Sequence, residues 1–111
     1  MLILFDHGTP RGIARYLPEH IVKECRRQGW ARLTNGELLQ AAEDAGFDVL
    51  LTTDKNIRYQ QNLRNRKIAI VVLGKARWRL IKPCLSEVKT AVNSARPGSY
   101  TKIEIPSAQR G

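Results

Sequence analysis

Three acidic residues occupy positions that a parallel sheet would bring together. Asp6 follows an apolar run over residues 2–5, Asp54 follows a second run over residues 49–53, and Glu37 opens a helical segment between the two runs. Acids are scarce, because the chain has 10 Asp and Glu against 19 Lys and Arg. Carboxylates held together repel one another, so a cluster of them takes up protons or binds a cation. The spacing therefore predicts a cation site.

The chemistry of such a site follows from its ligands and from the charge around it. Carboxylate oxygens are hard ligands that select Mg²⁺ or Mn²⁺. A cation bound there can hold a phosphodiester, activate a water and stabilise the departing oxygen. The net charge is +9, and the basic residues run through the whole chain, which favours a phosphate-rich partner over a merely basic exterior. Together these features predict a small metal-dependent nuclease.

Each acid also has a structural alternative. Asp6 begins a turn sequence, in which Asp commonly binds local backbone. Thr34 and Glu37 match the capping box of a helix start, and the sequence does not decide between this role and metal binding for Glu37. Asp54 could cap a following helix, but the polar cluster at residues 52–56 directly after a buried strand favours a functional role.

The elements that must position these acids alternate between strands and helices. Apolar or alternating runs predict strands at residues 2–5, 20–25, 47–53, 67–73 and 100–105, the last as an antiparallel edge strand. Helices are predicted from Pro10 with Thr9 as its cap, from Thr34 to the glycine at 46, and over much of 78–92, where Pro83 either starts the helix or lies in its first turn. This order predicts a three-layer α/β/α sandwich with a mainly parallel central sheet. Sites in such sheets form outside the carboxyl ends of the strands, where Asp6 and Asp54 fall.

Composition limits the alternatives. We predict a single domain over residues 1–106 and a frayed tail over 107–111. Cys25 and Cys84 lack ligand spacing, which indicates reduced thiols in a cytoplasmic protein. No apolar run is long enough for a signal peptide or a membrane span. The sequence also lacks a zinc pattern, a glycine-rich phosphate loop and a Cys–His pair. Glu43 and Asp44 are predicted to be solvated.

Several segments together resemble the PIN-like domains, in particular a compact single-domain bacterial branch related to VapC-type toxin nucleases. The resemblance is carried by LILFDHGTP at residues 2–10, NGELL at 35–39 and FDVLLTTDKN at 47–56. The segments YQQNL at 59–63 and IAIVVL at 68–73 also look like that branch. The resemblance covers roughly residues 1–95. Its motifs are moderately specific as a set and weak one by one.

The resemblance implies an α/β/α fold, an acid cluster that binds Mg²⁺ or Mn²⁺, and cleavage of RNA by a toxin that a co-encoded antitoxin neutralises. By position, Asp6, Glu37 and Asp54 match the family's acids and would be both catalytic residues and metal ligands. The family often has a further acid after the next strand, where this chain has only Leu, Gly, Lys and Ala at residues 73–76. Asn56 or His7 would complete a reduced site.

The leading hypothesis is therefore a metal-dependent ribonuclease, with RNA as substrate and an antitoxin protein as partner. Arg11, Lys55 and Asn56 would bind the substrate. The alternative is a catalytically inactive PIN-like module that binds RNA or an acidic protein. A doubly wound signalling-type domain is a weaker interpretation, since it would need a further acid pair near Asp6, and the sequence has none there. The sequence leaves open whether the protein forms a homodimer.

Overall fold

Five parallel strands form the centre of the protein. The structure, a computed structural model, describes residues 1–57 and 66–106. Within them the sheet has the spatial order β2-β1-β3-β4-β5, and every neighbouring pair is parallel. The strands are β1 (Leu2–Phe5), β2 (Ile21–Glu24), β3 (Val49–Thr52), β4 (Ala69–Leu73) and β5 (Tyr100–Ile103). The predicted α/β class with a parallel sheet is confirmed.

Helices lie against both faces of the sheet. Successive strand residues point to opposite faces, so Leu4 and Leu50 pack with helix α1 (Asn35–Asp44), whereas Ile3 and Leu51 pack on the other side. That other side is covered by the short helix α2 (Trp78–Ile81), helix α3 (Leu85–Asn93) and a 3₁₀ helix over Arg11–Tyr16. Burying each large apolar side chain fully contributes about 1.5–3 kcal/mol. The two apolar clusters therefore hold the sheet between its helices.

The last strand runs in the opposite direction to the one predicted. Its alternating pattern led to an antiparallel edge strand, but β5 pairs parallel to β4, with Ile70 opposite Tyr100 and Leu73 opposite Ile103. Alternation reports only that one face of a strand is exposed, and it carries no information about direction. Helix α3 carries the chain back across the sheet before β5 begins, and such a crossover delivers a parallel strand.

The helix after the first strand also differs from the prediction. It is a 3₁₀ helix over Arg11–Tyr16 with Pro10 at its cap position and no side-chain cap. The hydroxyl of Thr9 instead donates to the carbonyl of Leu51 at 3.0 Å. Thr9 therefore fastens the loop after β1 to β3, and this tie lies next to Asp6.

The helix predicted over residues 78–92 is interrupted near its middle. Helix α2 ends at Ile81, a 3₁₀ turn spans Lys82–Cys84, and α3 begins at Leu85. Pro83 explains the break, because proline has no N–H to donate and its ring clashes with the preceding turn. The result is a short helix that lies directly after the carboxyl end of β4.

Glu43, predicted to be solvated, is a structural anchor at the amino ends of the strands. Its carboxylate accepts hydrogen bonds from Arg66 at 2.9 Å, from the Ile68 N–H at 3.1 Å and from the Lys67 N–H. Desolvation alone would raise the pKa of Glu43, but these three donors together outweigh it and hold the pKa below its ordinary value. The charged carboxylate thus ties the end of α1 to the start of β4.

Two predictions concern residues outside the described ranges. For residues 57–63 the sequence predicts a short helical or irregular segment, and most of it lies in residues 58–65, outside the described ranges. The expected tail, 107–111, also lies outside the described residues. Among residues 1–57 and 66–106, no helix combines the length and the apolar character needed to cross a bilayer.

Candidate functional site

The carboxyl ends of β1 and β3 meet at the centre of the sheet. Strands β1 and β3 are direct neighbours, with Phe5 opposite Leu51. The chain leaves β1 toward β2 on one side and leaves β3 toward β4 on the other side. The connections diverge at this point, which opens the crevice where doubly wound sheets bind ligands. Asp6 and Asp54 both lie at this crevice.

One buried hydroxyl joins the two acids. Thr52, the last residue of β3, is 0% exposed. Its hydroxyl donates to Asp6 Oδ2 at 2.7 Å and accepts from the Asp54 N–H at 3.0 Å. Hydrogen bonds to a charged group are among the stronger ones in proteins. Thr52 therefore holds the Asp6 side chain and the Asp54 backbone in a fixed relation.

Asp54 is also held by the helix that precedes its strand. Asn35, in the first turn of α1, donates its side-chain N–H to Asp54 Oδ2 at 2.9 Å. The Asn56 N–H donates to Asp54 Oδ1 at 2.9 Å. Asp54 is half-buried. The start of α1 and the turn after β3 thus orient this carboxylate, with one hydrogen bond on each oxygen.

Asp6 is held from the opposite side. Its Oδ1 accepts from the His7 N–H at 2.8 Å and faces the thiol of Cys25, whose Sγ lies 3.9 Å away. Burial of Cys25, and then the negative charge of Asp6, raise the pKa of this thiol above its ordinary value. The thiol is therefore protonated at neutral pH and is placed to donate weakly to Asp6. His7 itself is exposed.

Glu37 forms the capping box that its spacing with Thr34 permits. The Thr34 N–H donates to Glu37 Oε1 at 2.9 Å, and the Glu37 N–H donates to the Thr34 hydroxyl at 3.3 Å. Within residues 1–57 and 66–106, no three His, Cys, Asp or Glu side chains are grouped closely enough to hold a metal ion. The structure therefore brings Asp6 and Asp54 together and leaves Glu37 at the helix cap.

A small cleft of about 100 Å³ opens beside Asp6. Arg11 and Glu24 line it and form an ion pair, with Arg11 Nε 3.2 Å from Glu24 Oε2. The Arg11 side chain is 70% exposed. Its part in substrate binding stays a prediction. Lys55 and Asn56, the other predicted substrate contacts, are exposed just after Asp54.

Exposed cations surround this edge of the sheet. The connections that leave the carboxyl ends of β2, β3 and β4 carry Arg26, Arg27, Arg32, Lys55, Arg77 and Arg79. Across the described residues, none of these six pairs with a carboxylate. Unpaired cations around a crevice raise the local concentration of anionic ligands. The edge that holds the two acids is therefore suited to a polyanion.

Asp6 and Asp54 are suited to a hard divalent cation. An ionised carboxylate offers about four lone pairs, and the contacts above leave acceptor capacity on both side chains. Mg²⁺ is commonly held by one or two carboxylates, with water and substrate phosphate completing its shell. Asp6 and Asp54 are therefore the two residues that could hold Mg²⁺ or Mn²⁺.

Sequence reasoning missed the residues that support the acids. Thr52, Asn35, Glu24 and Cys25 all contact Asp6, Asp54 or Arg11. The polar density at residues 52–56 was the one signal that pointed to Thr52. Glu24 and Cys25 carried no signal, because their importance comes from β2 lying beside β1.

Comparisons of the chain with protein-family models, with curated proteins and with solved structures find no match.

Proposed function

We propose that this protein is a ribonuclease dependent on Mg²⁺ or Mn²⁺, which hydrolyses RNA phosphodiesters at the carboxyl edge of its sheet. The observation that carries the proposal is the pairing of Asp6 and Asp54 through the buried hydroxyl of Thr52. Thr52 orients the Asp6 carboxylate and Asn35 orients the Asp54 carboxylate, so the two acids are held in place before a ligand arrives, as a binding site requires. The surrounding unpaired cations favour a polyanionic ligand.

In this proposal Asp6 and Asp54 hold the metal ion directly. Glu37 is the third residue proposed to help hold the ion, although its Oε1 accepts from the Thr34 N–H in the structure. When bound, the ion supplies charge stabilisation to the phosphodiester and a more acidic water. Asn35 and Thr52 keep the two aspartates oriented, so that neither carboxylate turns away when a phosphate approaches.

The substrate is proposed to bind through its backbone phosphates. Arg11 stands at the mouth of the cleft and is aligned by Glu24. Its planar guanidinium is suited to a phosphate, which it can contact with two N–H groups. Lys55 and Asn56 approach from the Asp54 side. An acidic antitoxin that covers the same cations would inhibit the enzyme by competing for them, in keeping with the toxin role that the resemblance implies.

A second candidate function is a binding module without catalysis. The capping box at Glu37 and the lack of a third ligand among the described residues favour it. Such a module would bind RNA or an acidic protein through the same cations. Titration with Mn²⁺ separates the candidates, because the module has no need to take up the ion.

The decisive experiment is cleavage of a mixed RNA substrate by the purified protein with Mg²⁺ or Mn²⁺. Asp6→Asn and Asp54→Asn are compared with Asp44→Asn, which makes the same change on an exposed residue at the far end of α1. We expect cleavage to be lost in the first two variants and retained in the third, with thermal unfolding showing every variant folded at the assay temperature. Normal cleavage by Asp54→Asn would refute the site. Absence of cleavage by the wild type, with RNA still bound, would favour the binding module.

A further inference from the structure

A partly exposed aromatic pair lies on the same side of the sheet as the 3₁₀ helix that carries Arg11. Tyr16 ends that helix and is 42% exposed, and Trp78 begins α2. Their ring centroids are 6.3 Å apart, and their planes are tilted by 40°. Trp78 also packs on the apolar core, but much of the Tyr16 ring does not. The pair is therefore more than a cover for the core.

Trp78 connects this pair to the candidate site. A Cβ added at Gly12 would meet the indole atoms Cη2 and Cζ2 at 3.1 Å, so the ring lies directly against the 3₁₀ helix. Gly12 follows Arg11, which lines the cleft at Asp6. The absence of a side chain at Gly12 is what lets the indole approach so closely. The indole thus lies against the residue that follows Arg11, which places the two rings beside the helix that lines the cleft.

Cations flank both rings along the chain. Arg15 precedes Tyr16, and Arg77 and Arg79 lie on either side of Trp78. All three arginines are exposed, and none forms an ion pair within the described part of the chain. Single-stranded nucleic acids are bound by this combination, because aromatic rings stack on unpaired bases while cations neutralise the phosphates between them. A paired base offers no free face to such a ring.

We propose that Tyr16 and Trp78 form a base-stacking subsite for single-stranded RNA, adjoining the cleft at Asp6. The identity of the ligand rests on the proposed function, since the same surface serves the strand whose phosphate lies at the acids. The subsite holds a base on one side of that phosphate, so it contributes binding and register and takes no part in the chemistry.

The test measures binding without cleavage. Fluorescence anisotropy with a labelled single-stranded oligouridylate, in EDTA, gives Kd for wild type, Tyr16→Ala, Tyr16→Phe and Ile21→Ala. We expect Tyr16→Ala to weaken binding about tenfold and Tyr16→Phe to remain within about twofold of wild type. Ile21→Ala is the matched control, because Ile21 is an exposed apolar residue at the opposite, amino end of its strand. Its binding should not change.

Intrinsic fluorescence provides a second readout on the ring itself. Trp30 packs against Phe47 in the other apolar cluster. In Trp30→Phe, the remaining indole is Trp78, and we expect a stacked base to quench it. In Trp78→Phe, quenching should be lost. Quenching that persists in Trp78→Phe would overturn the proposal.

The outcomes separate this inference from the proposed function. The subsite would be overturned, even if the protein cleaves RNA, by an equal Kd for wild type and Tyr16→Ala. It would also be overturned if Tyr16→Ala weakened binding of a duplex RNA as much as binding of the single strand. Tyr16-dependent binding by a protein that never cleaves would uphold the subsite and refute the ribonuclease. Failure of the wild type to bind the oligonucleotide would overturn the subsite.

Discussion

Replacing Thr52 with valine tests the contact on which the candidate site depends. Valine has nearly the same shape, so it fills the fully buried position but removes the hydroxyl. Asp6 Oδ2 then loses a donor at 2.7 Å, and the Asp54 N–H loses an acceptor at 3.0 Å. The variant therefore removes two hydrogen bonds with little change in packing.

The expected loss of stability can be worked from these contacts. A hydrogen bond to a charged group contributes about 1.5–3 kcal/mol, and leaving a buried N–H unpaired costs about 1–3 kcal/mol. Asp6 is only half-buried, so water replaces part of its bond, and we take the lower end of both ranges. The additional buried methyl returns about 0.8 kcal/mol. The free energy of unfolding should fall by about 2 kcal/mol.

Urea unfolding followed by tryptophan fluorescence measures this change. Thr52→Ser is the matched control, because it keeps the hydroxyl and loses only a methyl group, at a cost of about 1 kcal/mol. A double-mutant cycle of Thr52→Val with Asp6→Ala should give a coupling energy of about 1–2 kcal/mol, since the side chains share a hydrogen bond. Metal-dependent cleavage should fall in Thr52→Val and largely survive in Thr52→Ser.

Two results would refute this reasoning. Thr52→Val could match or exceed the wild type in stability, or the cycle could show no coupling between Thr52 and Asp6. Either would mean that the hydroxyl does not hold the carboxylate, and that the two acids are not built as a pair.

Three further perturbations test other parts of the structure. Glu43→Gln should lower the free energy of unfolding at pH 7 by about 3 kcal/mol. The pKa of Glu43 is lowered in the folded protein, so the stabilisation by its carboxylate is lost as pH falls below about 4.5 and through the lowered pKa. Urea unfolding should therefore show that the difference in stability between wild type and Glu43→Gln shrinks over this pH range. A difference that stays constant with pH would contradict the assigned role of Glu43. Glu37→Gln should keep the helix cap and the stability of the protein but weaken cleavage. Thr34→Ala should instead lower the free energy of unfolding by about 1 kcal/mol in the same urea assay. If Glu37→Gln cleaves RNA as the wild type does, Glu37 acts only as a helix cap. Gly74→Ala should lower the melting temperature by calorimetry, at a cost of about 1–3 kcal/mol, because its Cβ would lie 3.0 Å from a backbone oxygen of the neighbouring strand; an unchanged melting temperature would show that the strands can shift apart.

Local sequence patterns predicted several features of the fold correctly. The runs that became β1, β3 and β4 are short and, apart from Thr52 at the end of β3, apolar, which is typical of strands covered on both faces. The spacing of Thr34 and Glu37 predicted the start of α1, because a capping box forms between residues that are close in sequence. Such signals are readable since the groups that interact are only a few residues apart.

The direction of the last strand and the continuity of the helix over 78–92 could not be predicted from local sequence patterns. Tyr100–Ile103 alternates as an edge strand should, yet its direction depends on the crossover that precedes it. The helix over 78–92 had the expected apolar spacing, and Pro83 broke it. Glu43 looked solvated, because the donors at the start of β4 that hold it are distant in the chain.

The sequence by itself determined an alternating α/β chain, two acids that follow buried strands, and an excess of cations. Only the tertiary structure decided that β1 lies beside β3, and hence that Thr52 joins Asp6 to Asp54. It alone placed Trp78 against the helix that carries Tyr16. The physical reason is that periodicity along a chain records which side of an element is buried. Which elements become neighbours depends instead on the packing of the whole core.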